Sequence, residues 1–152
     1  MQQPSTILVP ITNSQASLDA VTTACMVARP RRAQVLALHV IEVLRALPLN
    51  TPMEQEARRG EQILRRAEDA AAAADYHITG ALVQAREAGQ AIVDEARDRN
   101  VDVIILGIGY KRLVGDFQVG RTADYILRHA QCQVWVVRQS LTQPGSEPDA
   151  RR

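Results

Sequence analysis

Short apolar runs alternate with segments whose apolar residues recur at helical spacing, and this alternation constrains the fold more than any other feature of the chain. The apolar runs are ILVP at 7–10, AQVLALHVIEV at 33–43, ITGALVQARE at 78–87, VDVIILG at 101–107 and QVWVVR at 133–138. Apolar strands joined by helices are typical of a parallel sheet with helices on both faces. We therefore predict an α/β fold with a five-stranded parallel sheet, and the right-handed crossover rule favours the strand order 3-2-1-4-5.

Four segments between these strands carry helical signals. Ser14 is placed to cap the first helix, because its hydroxyl can accept a free N–H of the first turn, and Pro30 is placed to end it. The second segment, 53–75, is rich in Glu, Arg and Ala with a thin apolar stripe, and 89–100 and 121–130 follow. The chain then turns polar, so we predict one domain over 1–138 and a flexible tail over 139–152.

Composition and charge limit the classes of partner. The chain has 152 residues with 46% hydrophobic residues, enough for the core of one domain, and its net charge of +1 gives no general attraction to nucleic acid. No apolar run is long enough to span a bilayer, and no secretory signal is visible, so we expect a cytoplasmic protein. Cys25 and Cys132 have no metal-ligand spacing with each other or with a histidine, so we predict reduced thiols and no metal site.

The segment LGIGYKRLVGDFQVGRT at 106–122 has the form of a phosphate-binding loop. It follows a predicted strand and leads into a predicted helix, whose first N–H groups and dipole attract anions. Lys111, Arg112 and Arg121 add positive charge. Ligands of parallel sheets bind beyond the carboxyl ends of the strands where the strand order reverses, so PITNS at 10–14 is expected to form the facing wall. The alternative is that the glycines serve a tight turn and the cations are solvated.

Three segments resemble the universal stress protein family: ILVPITNS at 7–14, VDVIILG at 101–107 and GRTADYILRHAQCQVWVVR at 120–138. The resemblance covers about 6–138. It implies an adenine nucleotide alpha hydrolase-like fold, which in this family is commonly dimeric. Some members bind ATP and others do not. Such domains also occur fused to membrane transporters and channels as cytoplasmic regulators.

The resemblance also shows where this chain departs from the ATP-binding members. Their motif is Gly, two residues, Gly, nine residues, then Gly and Ser or Thr. Gly107 and Gly120 match it, but Tyr110 stands at the second glycine and Arg121 at the hydroxyl position. Thr12 stands where the family commonly has Asp. A ring at Tyr110 hinders the approach of a phosphate to the backbone, so we expect weak ATP binding.

The predicted ligand is a small phosphorylated molecule, with AMP, ATP and a cyclic nucleotide as the candidates. Arg121 would take a phosphate, while Thr12, Asn13 and Val40 would line the base and ribose. Alternatively, Arg121 folds inward and fills the site through an ion pair with Asp116 or Glu87. The predicted nucleotide-binding residues are Pro10, Thr12, Asn13, Val40, Gly107, Gly109, Lys111, Gly120, Arg121 and Thr122.

Three functions compete on these observations. The first is a regulatory, nucleotide-sensing domain that forms a homodimer through QVWVVR, an apolar edge strand that carries Trp135. For this function a membrane transporter is a candidate host or partner, and the cytoplasmic face of that membrane protein is a candidate location. The second is a structural dimerisation module with no bound nucleotide. An enzyme ranks last, because no set of acid, base and nucleophile is visible beside the loop. We therefore predict that the protein is not an enzyme.

Overall fold

The computed structural model describes residues 4–110, 112–113, 116–117 and 119–141. Its helices are α1 (Gln15–Ala28), α2 (Glu54–Ala73), α3 (Ala88–Asp98) and α4 (Arg121–His129), with a short 3-10 turn at Arg29–Arg31. Its strands are β1 (Thr6–Pro10), β2 (Gln34–Glu42), β3 (Thr79–Ala85), β4 (Val103–Ile108), β5 (Arg112–Leu113), β6 (Asp116–Phe117) and β7 (Gln133–Arg138).

The main sheet has the order β3-β2-β1-β4-β7, and all four of its pairings are parallel. This confirms the predicted five-stranded parallel sheet and its order, with β7 as the fifth strand. The antiparallel pair β5–β6 inside the Gly-rich segment was not predicted. Each of its strands has two residues, too few for any hydrophobic period to show in the sequence.

The pleat of the sheet sorts the apolar side chains into two cores. Successive residues of a strand point to opposite faces, so Ile7 and Val9 pack in the core that α1 and α2 cover, whereas Leu8 packs in the core with residues of α3 and α4. All three side chains are fully buried. Because both faces of β1 are covered, its sequence has no polar position between the apolar ones.

Both ends of α1 follow the local signals of the sequence. The Ser14 hydroxyl accepts a hydrogen bond from the backbone N–H of Ser17 at 3.2 Å, which confirms the predicted cap. The α-helix ends at Ala28, and Pro30 lies in the 3-10 turn that follows it. Arg32 then adopts a left-handed φ of 53°, which turns the chain toward β2.

The Asp102 carboxylate joins the beginning of the chain to the beginning of β4. Its Oδ2 accepts hydrogen bonds from the N–H of Ser5 at 2.9 Å, the hydroxyl of Ser5 at 2.8 Å and the N–H of Thr6 at 2.8 Å. The Ser5 hydroxyl contributes most, followed by the two N–H groups, and together they hold the pKa of Asp102 below its ordinary value of 3.8. The ionised carboxylate therefore stabilises this end of the sheet.

Both cysteines are free thiols. Cys25 is fully buried in the core beneath α1, and this burial raises the pKa of its thiol, which the charge of Arg29 partly offsets. Burial likewise raises the pKa of Cys132. Over the part of the chain that the structure describes, none of the helices combines the length and the apolarity that crossing a membrane requires.

Replacing Asp102 with Asn tests the junction at the start of the sheet. We expect Asp102→Asn to lower the free energy of unfolding by about 1 kcal/mol at neutral pH, because charge-assisted hydrogen bonds are lost at an exposed position. A carboxyl with a lowered folded pKa stabilises the protein above its unfolded pKa, and this contribution disappears as the pH falls through the folded value. Urea titrations should therefore show the two proteins converging below the ordinary pKa of 3.8. A constant difference across this pH range would contradict the assignment.

Candidate functional site

A cavity of about 760 Å³ opens at the carboxyl edge of the sheet, where β1 and β4 lead to opposite sides. Its volume lies in the range of roughly 300–1,000 Å³ that is typical of small-molecule sites. The wall consists of the carboxyl ends of β1, β2 and β4, the amino ends of α1, α3 and α4, and the ends of the loops beside them. The lining residues are Pro10, Ile11, Thr12, Ser14, Gln15, Ala16, Ser17, Leu38, Val40, Glu42, Ala88, Ile92, Leu106, Gly107, Ile108, Gly109, Tyr110, Val119, Gly120, Arg121, Thr122, Ala123 and Gln139.

Three hydroxyl groups meet where β1 leads into α1. The Ser17 hydroxyl accepts a hydrogen bond from the backbone N–H of Thr12 at 2.9 Å, and the hydroxyl of Ser14 lies 3.1 Å from it. The Thr12 hydroxyl donates to the Ser14 oxygen at 3.2 Å. Ser17 is only 3% exposed and forms the buried end of this group of three hydroxyls, whereas Thr12 is exposed and Ser14 is partly exposed. This wall of the cavity is polar but uncharged.

Gly107 allows α1 to pack against the end of β4. A Cβ at Gly107 would lie 2.1 Å from the carbonyl oxygen of Ala16, a distance that no side chain can occupy. A Cβ at Gly109 would make only an ordinary contact of 3.7 Å with the Gln139 side chain, and one at Gly120 would meet nothing within 4 Å. Thus packing between α1 and β4 requires the first glycine, whereas the space in front of Gly120 is open.

The amino ends of α1, α3 and α4 all reach the cavity, but they differ in how their free N–H groups are satisfied. Ser14 caps α1. At α3, the N–H of Ala88 donates to Oε1 of Glu42 from β2 at 3.2 Å. At α4, whose N-cap is Gly120, no cap from a side chain is found among the described residues. The start of α4 is therefore the end whose dipole and N–H groups remain available to an anion.

Arg121 lies at the rim of the cavity and pairs with a carboxylate that the sequence had not indicated. Its Nη2 is 3.8 Å from Oε2 of Glu42, and the two side chains are 88% and 43% exposed. Glu87, one of the two partners considered from the sequence, pairs with Arg45 at 3.5 Å instead. The side chain of the other, Asp116, lies outside the described residues. At this exposure Arg121 does not fill the cavity, so the alternative in which it does so through Glu87 is wrong for this structure.

Tyr110 forms part of the outer wall next to the last strand. The residue is 42% exposed, and the guanidinium carbon of Arg138 lies 5.5 Å from the centroid of its ring, within the range of a cation–π contact. The N–H of Gln139, which also lines the cavity, donates to the carbonyl of Ile108 at 2.8 Å. The wall beside Tyr110 thus contacts the end of β7 through Arg138 and the residue after it, Gln139.

Most of the residues predicted for the site share this cavity. Those on its wall are Pro10, Thr12, Val40, Gly107, Gly109, Gly120, Arg121 and Thr122. Asn13 is not part of the wall, and its side-chain oxygen accepts a hydrogen bond from Arg66 of α2. Lys111 lies outside the described residues. The role of these residues in binding a ligand stays a prediction.

Sequence reasoning missed Glu42 and Ser17. The signal for Glu42 was its position, since it is a charged residue at the carboxyl end of a largely apolar strand. Ser17 stands three residues after the capping Ser14, where a second hydroxyl can join the same network. Across the described ranges, no group of three or more His, Cys, Asp or Glu side chains is arranged to hold a metal ion.

Comparison with known proteins identifies relatives over most of the chain. The model of the universal stress protein family matches residues 4–138. A universal stress protein from Methanothermobacter thermautotrophicus is 30% identical over 117 residues, which cover 71% of this chain and 78% of that protein.

Solved structures show the same fold. A universal stress protein in complex with cAMP is 23% identical, has a TM-score of 0.70, and aligns over 91% of this chain and 100% of its own. The universal stress protein of Archaeoglobus fulgidus in complex with dAMP is 17% identical, has a TM-score of 0.71, and aligns over 89% of this chain and 98% of its own. The sheet order and these alignments give the adenine nucleotide alpha hydrolase-like fold.

A matched pair of glycine substitutions tests the packing beside the cavity. We expect Gly107→Ala to lower the free energy of unfolding by about 2–3 kcal/mol, because the new methyl group meets the backbone of α1. Gly109→Ala, two residues away, should stay within about 0.5 kcal/mol of the unaltered protein. Denaturant titration measures both. Equal stability of the two variants would contradict the close approach of Ala16.

Proposed function

This chain belongs to the universal stress protein family, and from that premise we propose that it is a regulatory domain that senses an adenine nucleotide and works as a dimer. The amino end of α4 carries this proposal. It faces a cavity of suitable size, has no cap from a described side chain, and follows Gly120, which has open space in front of it. These are the features of a phosphate site at a helix N-terminus.

Phosphate and base would occupy opposite parts of the cavity. The phosphate would accept hydrogen bonds from the first N–H groups of α4 and from the Thr122 hydroxyl, with Arg121 closing over it. The Arg121 side chain is 88% exposed, and its Nη2 lies 3.8 Å from Oε2 of Glu42, so the side chain can reorient at little energetic cost. The apolar wall at Val40 suits a base, and the hydroxyls of Thr12 and Ser14 suit the ribose.

A nucleotide with few phosphates fits this wall better than ATP. The charged side chains among the described lining residues are Arg121 and Glu42, one of each sign. A chain of three phosphates carries several negative charges and needs more cationic contact than this. The structures in complex with cAMP and dAMP add that proteins of this fold hold adenine monophosphates. We therefore propose AMP or a cyclic nucleotide as the ligand.

We propose binding rather than catalysis for this cavity. Glu42 is the one carboxylate among the described lining residues, and its two oxygens already face the N–H of Ala88 and Arg121. The Ser17 hydroxyl is buried in the cap of α1. Acid–base and nucleophilic catalysis require partners within hydrogen-bond reach of a reacting atom, and the described wall offers no such set.

The proposed dimer would form along the outer edge of β7. Among the described strands, β7 pairs only with β4, so its other edge is unpaired. Trp135 packs against the core beneath α1, whereas Val136 is 42% exposed. An apolar, unpaired edge strand is a template for pairing with a second copy. A membrane transporter as host or partner, and a location at its cytoplasmic face, remain hypotheses from the family resemblance.

Nucleotide binding is testable by thermal shift. At roughly ten times the Kd, AMP or cyclic AMP should raise the Tm by about 3–6 °C, because a ligand that binds only the folded state stabilises it. Arg121→Ala should abolish this shift, and Arg45→Ala, which removes an exposed arginine outside the cavity wall, should preserve it.

ATP should produce a smaller shift than AMP at equal concentration, and tight ATP binding in calorimetry would refute the argument from the altered motif. No shift with any nucleotide at millimolar concentration would instead favour the second candidate function, a structural dimerisation module whose cavity holds no nucleotide.

The dimer is testable at Val136. We expect light scattering to give the mass of a dimer for the unaltered chain and of a monomer for Val136→Lys, because a charge on this edge opposes pairing. Since Val136 is exposed, the substitution should not unfold the protein. Met26→Lys, at a side chain 63% exposed on α1, is the matched control and should remain dimeric. A monomeric unaltered protein, or a dimeric Val136→Lys, would rule out this interface.

A further inference from the structure

We infer that Glu42 lowers the affinity of the cavity for its ligand with each further negative charge that the ligand carries. This inference rests on the proposed nucleotide site and deepens it. Glu42 ends β2 and lines the cavity, between the helix end it caps and the helix end that the ligand would use. Its Oε1 accepts from the N–H of Ala88 at the start of α3 at 3.2 Å, and its Oε2 lies 3.8 Å from Nη2 of Arg121 at the start of α4.

The position of Glu42 follows from the sheet rather than from the loops. The residue pairs in register with Ala85 of β3, and the N–H of the next residue, Val43, donates to the Ala85 carbonyl at 2.8 Å. The backbone beneath the carboxylate is therefore held on a strand. The carboxylate therefore stays within the length of one side chain of this fixed point, beside the cavity.

Two consequences for binding follow from this fixed charge. Glu42 and the phosphate compete for the same cation, because Arg121 is the one positively charged side chain on the described wall. Glu42 also repels the ligand, and this repulsion grows with each negative charge that the ligand carries. A cyclic nucleotide carries one negative charge and AMP about two near neutral pH. The carboxylate therefore favours a phosphodiester over a free phosphate monoester and disfavours polyphosphates most.

The substitution Glu42→Gln tests the effect of the negative charge of Glu42 while the shape of its side chain is kept. The amide oxygen of Gln can still accept from the N–H of Ala88, so the cap of α3 is kept while the negative charge is lost. At a separation of several ångströms in a solvent-accessible site, removal of one charge should tighten binding about two- to threefold per unit of ligand charge. Cyclic AMP should thus gain about two- to threefold and AMP about four- to ninefold, with ADP and ATP gaining at least as much as AMP.

The matched control is Glu87→Gln. Glu87 precedes α3 immediately, pairs with Arg45 at 3.5 Å, and is not part of the cavity wall. Its substitution removes the same charge from the same end of the molecule without altering the wall. Its affinities for the four nucleotides should rise by less than about twofold, with no trend in ligand charge, because exposed charges farther from the site are screened.

The experiment is calorimetric titration of the full chain and both variants with cyclic AMP, AMP, ADP and ATP, at low salt and at high salt. A gain that increases with ligand charge in Glu42→Gln alone, and that shrinks at high salt, supports the inference. A uniform gain across the four nucleotides, or an equal trend in Glu87→Gln, overturns it while leaving the nucleotide site intact. If no nucleotide binds to any of the three proteins, the proposed function itself is refuted and the inference with it.

Discussion

The close approach of α1 to the end of β4 is the contact on which the site depends. At Gly107 the backbone of β4 comes so near to the Ala16 carbonyl that a methyl group has no room. This contact sets α1 directly against the point where β1 and β4 diverge. It brings the hydroxyl-rich start of α1 and the Gly-rich segment after β4 to one crevice. A bulkier residue at this position would separate the two walls before any ligand could enter.

Electrostatics then distinguishes three helix ends that are geometrically alike. Each presents free N–H groups to the same crevice, but a serine satisfies the first and a carboxylate from β2 satisfies the second. Of these three ends, the start of α4 is the one for which the described part of the chain supplies no side-chain cap. If an anion binds in this crevice, the start of α4 is the favoured place, because the other two helix ends are already satisfied. Glu42 has a double effect in this arrangement, since it caps α3 and faces the cation of α4.

The sheet could be predicted from the sequence because buried parallel strands are continuous apolar runs. Strands such as β4, VIILGI, are apolar on both faces, and strand order follows from the handedness of crossovers. Pro10, Thr12 and Gly120 could be assigned to one cavity because they lie at the ends of elements that meet where the order reverses. The pairing of Arg121 with Glu42 was beyond sequence reasoning, since it depends on how far α4 reaches across the sheet toward β2. The β5–β6 pair was missed because its strands are too short to have a period.

The long sequence separation between Asp102 and its partner Ser5 also has a consequence for the chain during synthesis. Asp102 and Ser5 are 97 residues apart, and the β4 edge beside β1 begins next to Asp102. A ribosome that adds roughly 5–20 residues per second needs about 5–20 s to make this stretch. Before β4 is made, β2 is the one strand of the finished sheet that can pair with β1, and the other edge of β1, a strand of branched apolar residues, stays uncovered. The central strand of the finished sheet is therefore an exposed edge while the chain is being made, the stage at which such a nascent chain is most prone to wrong association.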